Sequence, residues 1–243
     1  MLEAHPVVNR EIDEIERPVT RSWARQRLGF ALPPVLTRSV HWANLTTYKL
    51  LGSHRTFAFE GRDLKYFYHR YNNTVSNERT IEIPIVEQFL RPGQNVLEVG
   101  NVLNHYCPFL HDVIDKYEVA AGVTNCDIVE YVTPKRYDLI VSISTIEHVG
   151  WDEPTKQADK PARAIDAMRT LMAPNATMVI TVPGGYNPFL DEFLKSPACE
   201  CRKHYRFQRV SWMNEWREVA AFSPGVRYRY PYPFANTLHV LVF

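Results

Sequence analysis

Along the last two thirds of the chain, short apolar runs alternate with amphipathic stretches, the pattern of βαβ units in a mostly parallel sheet. Residues 95–99 (NVLEV) read as a first strand, entered through the turn Arg91-Pro92-Gly93-Gln94. Residues 111–114 (HDVI) read as a short second strand, and residues 123–126 as a weaker third. Residues 137–144 (YDLIVSIS) form a β-branched run long enough to lie buried in mid-sheet. Residues 176–182 (ATMVITV) follow the punctuation Ala173-Pro174-Asn175. Between these two strands, Ala164, Ile165, Met168, Leu171 and Met172 fall at helical spacing, which predicts a crossover helix over residues 161–172. A helix over residues 80–90, with Pro84 near its start, leads into the first strand.

Beyond Pro183 the pattern changes. Short helices are expected at residues 187–195 and 211–220, the second capped by Ser211. Residues 226–230 and 237–243 read as two strands forming an antiparallel hairpin at the sheet edge. Residues 1–75 lack strand alternation and are dense in aromatics and Arg, among them Trp23, Trp42, Tyr48, Phe57 and Tyr66. They read as a helical or irregular cap. The expected organisation is this cap followed by an α/β unit over residues 76–243, with an insertion at about residues 184–222.

Composition narrows the classes. The 243 residues are 45% hydrophobic and 23% charged, which excludes disordered and fibrous chains. Lys plus Arg number 28 against 27 Asp plus Glu, so no overall charge draws the chain to nucleic acid or acidic membranes. Four irregularly spaced cysteines make no disulfide framework. The first 27 residues lack the apolar stretch of a secretory signal, and no apolar run reaches a membrane span. The cytoplasm is the expected compartment, so the sequons at Asn44, Asn72 and Asn175 are expected to stay unglycosylated.

Candidate chemistry gathers at strand ends, where open α/β sheets bind ligands. Glu98-Val99-Gly100-Asn101 closes the first strand, and Gly100 lets backbone approach a ligand closely. Asp115, with Lys116 beside it, follows the second strand, where a carboxylate accepts hydrogen bonds from ribose hydroxyls. Asp127 follows the third, in reach of an exocyclic adenine amine. Ser144-Thr145-Ile146-Glu147-His148 follows the fourth.

Taken in order, VLEVG, VIDKY, CDI, YDLIVSISTIEHVG and LMAPNATMVITVP resemble class I S-adenosylmethionine-dependent methyltransferases, over about residues 80–183. The resemblance implies a Rossmann-like, doubly wound α/β sheet, mostly parallel with an antiparallel C-terminal strand. It implies S-adenosylmethionine as cofactor, with Glu98, Gly100 and Asn101 around its methionine part. Asp115 would hold the ribose, Asp127 and Ile128 the adenine, and Ser144 and Thr145 the other side. Ile146-Glu147-His148-Val149 is similar to the family's LEH segment. The chain departs from the family's GxGxG loop, keeping one glycine in Gly100-Asn101-Val102-Leu103-Asn104. Asn101 and Asn104 are polar substitutes there, and Asn tolerates left-handed backbone.

His148 is the candidate general base, with His69 and His105 behind it; capping or a structural role is the other reading. Glu147 reads as architectural. Tyr71, in the aromatic run 66–74, and Arg79 are candidates for the acceptor side, with packing of the cap as the alternative. Cys199-x-Cys201-x-x-His204 offers three ligands where structural zinc wants four, so no metal is expected. The function implied is methyl transfer to a small polar or aromatic molecule, such as a sugar or secondary metabolite. The competing readings are an inactive methyltransferase-like binding module and a nicotinamide-dependent Rossmann oxidoreductase. Residue patterns do not give the acceptor or the oligomeric state.

Overall fold

The computed structural model describes residues 54–106 and 109–243. The expectations for residues 1–53, including Trp23, Trp42, Tyr48 and the Asn44 sequon, lie outside the described residues.

Residues 56–65, expected to be helical or irregular, form a hairpin of β1 (Thr56–Phe59) and β2 (Arg62–Lys65). Glu60 and Gly61 turn it with φ of 50° and 72°. Two consecutive positive φ values match the twist of a two-residue hairpin turn. Helix α1 (Arg79–Glu87) follows. Its Pro84 has no N–H for the carbonyl of Thr80. The N–H of Phe67 takes that carbonyl instead, at 2.8 Å, and so ties the chain after β2 to the helix.

The main sheet holds β3 (Val96–Val99), β4 (Asp112–Ile114), β5 (Val123–Thr124), β6 (Tyr137–Ile143), β7 (Met172–Pro183), β8 (Lys203–Arg209), β9 (Trp216–Glu218) and β10 (Thr237–Val242). Their spatial order is β5-β4-β3-β6-β7-β10-β8-β9. The first five are parallel, and β10 is antiparallel to β7. Helix α2 (Lys160–Thr170) crosses from β6 to β7, with Pro161 in its first turn, where a missing N–H costs nothing. Helix α3 (Pro188–Lys195) is capped by Asn187, whose side chain accepts the N–H groups of Phe189 and Leu190.

Both faces of the sheet are covered. Leu139, Val141 and Ile143 of β6 pack with Ile81, Ile83 and Ile85 of α1, and with Phe57 and Phe59 of the hairpin. Ile140 of β6 and Met178 and Ile180 of β7 pack with Ile165 and Met168 of α2 and Leu190 and Leu194 of α3. Burial on both sides is why these strands read as continuous apolar runs. The fold is a doubly wound α/β sheet, mostly parallel, with an antiparallel C-terminal strand.

Two further expectations are corrected. Strand β10 is not at the edge and has no hairpin partner in residues 226–230, where only the bridge Arg227–Tyr230 forms. It is inserted between β7 and β8, because both its faces are apolar: Leu238 and Val240 on one, Leu241 on the other. Residues 211–220 form a turn and β9 rather than a helix, with Asn214 at φ 54° turning the chain so that Trp216 is buried.

Candidate functional site

Parallel β3 to β7 place their carboxyl ends along one edge, and the loops there are knit together. Gly100 has φ 93° and donates its N–H to Ile114 O at 2.8 Å. A Cβ at this position would fall 2.1 Å from Oγ1 of Thr145, so only glycine lets the loop after β3 meet the loop after β6. Asp115 Oδ2 accepts the Asn101 N–H at 3.2 Å, and its Oδ1 accepts those of Tyr117 and Glu118 at 2.8 and 2.7 Å. Asp115 is half-buried, and its two oxygens offer about four lone pairs, so capacity remains for a ligand hydroxyl. The Asn101 side chain donates to Glu118 at 2.7 Å and accepts from Asn104 at 2.7 Å. Asn104 therefore braces Asn101.

Glu98 is engaged by its own loop. Its side chain is fully buried, and Oε1 accepts the N–H groups of Val102 and Leu103 at 3.0 and 2.7 Å. Its Oε2 meets Nε2 of His111 at 2.8 Å. Glu98 thus organises the loop. The chain after Gly100 forms only a single 3-10 turn, Leu103–His105. The free N–H groups expected at a helix start are in part taken by Glu98 itself.

Asp127 is engaged within the protein likewise. Its Oδ2 lies 2.9 Å from Lys116 Nζ and 2.7 Å from Lys160 Nζ, and its Oδ1 accepts the Val129 N–H. Glu153 binds the same two lysines. Burial pushes the Asp127 carboxyl up, but the two lysines outweigh it and hold the pKa at about 2. Asp127 is the centre of an ion-pair network to which Lys116 belongs. Ile128 beside it is buried and supplies an apolar wall.

On the other flank, Ser144 is buried at φ 39°, a strained region for a residue with a Cβ. It is held there by its N–H to Thr181 O at 2.8 Å and its hydroxyl to Glu82 Oε1 at 2.6 Å. Glu82 also accepts the Thr181 hydroxyl and the Arg79 guanidinium, both at 2.7 Å. Arg79 is therefore engaged by its own helix. Glu147 is buried, and Asn187 donates to its backbone carbonyl at 3.0 Å. Burial, with Glu82 and Glu78 nearby, holds the Glu147 carboxyl well above the usual carboxylate range.

His148 is half-exposed, with Nδ1 2.6 Å from Oδ2 of Asp152. The same Asp152 oxygen accepts the Tyr186 hydroxyl at 2.7 Å. Tyr71 stacks on His105 at 4.1 Å and stands half-exposed beside Tyr106.

The structure therefore brings Gly100, Asn101, Asp115 and Thr145 together, and places Arg79, Ser144 and His148 on the flank toward α1. Sequence reading missed Glu78, Glu82, Asp152 and Tyr186. Glu82 had a signal, an acid inside the apolar run TIEIPIV. Tyr186 had none.

No family model matches the chain, and no curated protein matches it. Solved structures do. The chain is similar to the N-methyltransferase NodS from Bradyrhizobium japonicum WM9 in complex with S-adenosyl-L-homocysteine, at 14% identity over 61% of this chain and 76% of that one, with a TM-score of 0.38. It is similar to a TehB-like SAM-dependent methyltransferase from Corynebacterium glutamicum at 16% identity, over 67% and 85% of the two chains, with a TM-score of 0.40. A third is a SAM-dependent methyltransferase, possible histamine N-methyltransferase, from Thermotoga maritima, at 14% identity, 66% and 87% coverage and a TM-score of 0.40. Likenesses of this size assign neither a residue role nor an acceptor.

Proposed function

We propose that this chain transfers a methyl group from S-adenosylmethionine to a small polar or aromatic acceptor at the carboxyl edge of the sheet, as a class I methyltransferase. The observation that carries the reading is the knot of Gly100, Asn101, Asp115 and Thr145. A half-buried carboxylate ends the second parallel strand, beside a glycine that only close approach explains. That donor and acceptor set fits an adenosyl ligand: Asp115 would accept ribose hydroxyls, Ile128 would wall the adenine, and Asn101 and Thr145 would flank the methionine part. Residues 76–243 form the methyltransferase unit in this reading.

When bound, S-adenosylmethionine supplies a methyl carbon already activated by a sulfonium. The protein's tasks are then to align the acceptor, exclude water and take a proton where the acceptor carries one. His148 suits the last task. With Nδ1–H donated to Asp152, its Nε2 keeps a lone pair for the acceptor's proton. Asp152 is the positioning residue that selects this tautomer.

A nicotinamide site needs a helix start whose N–H groups receive a pyrophosphate. Here the loop makes one 3-10 turn, and Glu98 has taken two of its N–H groups. Equilibrium dialysis with labelled S-adenosylmethionine and NAD tests the choice. Binding of the first alone is expected. Binding of NAD alone, or of neither ligand at millimolar concentration, would overturn the reading.

A further inference from the structure

Resting on the methyl-transfer reading, we propose that the acceptor is a small cationic amine, its ammonium group held by Glu147 and Glu78 beside the Arg79–Glu82 pair.

Three carboxylates, Glu78, Glu82 and Glu147, share one neighbourhood with a single guanidinium, that of Arg79. Glu82 is fully accounted for, with Arg79 on one oxygen and the Ser144 and Thr181 hydroxyls on the other. The other two are not. Oε2 of Glu147, on a side chain only 3% exposed, is buried without a hydrogen-bond partner among the described residues. Oε2 of Glu78 is also without a partner, although the residue as a whole is partly exposed and its carboxyl takes a backbone hydrogen bond from Ala235. Folded proteins rarely leave buried polar atoms unpaired, and an unpaired carboxylate oxygen is among the costlier exceptions. Two of them, one at the start of α1 and one in the turn after β6, point to a donor that arrives with a ligand.

The chemistry of that donor follows from the cluster. Burial drives both carboxyls toward their neutral form, and an arriving ammonium brings three N–H donors together with the positive charge that favours the ionised form. A hydroxyl brings one donor and no charge to offset that burial. Aromatic side chains border the cluster: Tyr228 feels the charges of both Glu78 and Glu147, and Tyr186 packs edge-on against it at 5.1 Å. The guanidinium of Arg229 already lies over the Tyr228 ring, 5.4 Å from its centre, so the cation site is the carboxyl pair and not that ring face. The cluster also adjoins the proposed base: His148 Nε2 lies 3.6 Å from Glu147 Oε1.

The proton balance closes with residues in place. The ammonium nitrogen gives one proton to His148 Nε2, and its freed lone pair forms the N–C bond to the methyl carbon. The S–C bond breaks as this happens, and its electron pair stays on sulfur. An N-methylammonium and a neutral thioether leave, and the imidazolium returns its proton to solvent.

The test is calorimetric titration of the full chain, saturated with S-adenosylhomocysteine, by benzylamine against benzyl alcohol and by glucosamine against glucose. At least one amine is expected to bind about tenfold more tightly than its hydroxyl partner. Glu147→Gln and Glu78→Gln should each cut that preference to about threefold or less, while S-adenosylhomocysteine affinity stays within about threefold of wild type. Equal binding within both pairs, no amine binding at about 10 mM, or a preference that survives in both variants would overturn the proposal. Should Glu147→Gln fail to fold, the wild-type preference and Glu78→Gln decide it. Loss of S-adenosylhomocysteine binding would strike the methyl-transfer reading. Loss of amine preference with that ligand still bound strikes only this one.

Discussion

Gly100 and Thr145 stand so close that the methyl group of an alanine at position 100 would overlap the threonine side chain, with Oγ1 at 2.1 Å and Cγ2 at 2.8 Å. The φ of 93° adds backbone strain to any such substitution. Gly100→Ala is therefore expected to cost at least about 1–3 kcal/mol in urea unfolding, the range for a residue forced into that region. S-adenosylhomocysteine affinity should fall with it. Adding Thr145→Ala should restore part of the lost stability, because two of the three clashing atoms go. A Gly100→Ala protein as stable as wild type would show that the two loops do not meet this way.

Glu98 and His111 make a pH-dependent contribution. Burial pulls the His111 pKa down, but its bonds to Glu98 and the Phe109 carbonyl more than offset this, leaving it above the ordinary value. A raised histidine stabilises the fold fully below its unfolded pKa of about 6.5, and the gain fades as pH rises through the folded value. His111→Gln should cost about 1.5–3 kcal/mol near pH 6, the range for a charged hydrogen bond, and progressively less toward pH 9. Unfolding free energies across that window check it. A cost that grows with pH would contradict the pairing.

Asp127 is expected to matter for stability more than for the cofactor. Its lowered pKa means its stabilisation is present above the ordinary carboxyl value of about 3.8 and is lost as pH falls toward 2. Asp127→Asn should lose about 1.5–3 kcal/mol at pH 7 by leaving Lys160, nearly buried, with a weaker partner. S-adenosylmethionine affinity should stay within about threefold of wild type. A loss of affinity with stability intact would restore Asp127 to the adenine.

Much of the fold was legible because its strands are buried on both faces. Continuous runs such as VLEV and YDLIVSI identify themselves, and Ile165 and Met168 mark the buried face of α2 by their spacing. Strand order was not legible. Nothing in TLHVLV says that it enters between β7 and β8, since an apolar strand can sit beside any neighbour. The site was half legible. Asp115 announced itself by following a strand. The role of Glu98 did not, because the string VLEVG is the same whether the carboxylate faces a ligand or the N–H groups of its own loop. That depends on how the chain turns after Gly100. SWMNEWREVA misled because Ser and Asn there make a turn rather than a cap, and Trp216 is buried from a strand.

His148 and Asp152 should separate catalysis from binding. His148→Ala is expected to lower turnover about 10²–10⁴-fold, the usual worth of general base catalysis. Asp152→Asn should lower it less, since it removes the carboxylate that orients the imidazole and leaves the imidazole itself in place. Neither should change S-adenosylhomocysteine affinity more than about threefold. Full activity in His148→Ala, measured on any acceptor found, removes His148 as the base.

Titration of S-adenosylhomocysteine into the wild-type chain and Asp115→Ala tests the adenosyl site most directly. Wild type should bind at one site, and Asp115→Ala should bind more weakly by about 1–3 kcal/mol, the cost of leaving hydrogen-bonding partners unpaired. Equal affinity in the two proteins, with Asp115→Ala folded, would contradict the assignment of Asp115 to the ribose and with it the placement of the cofactor.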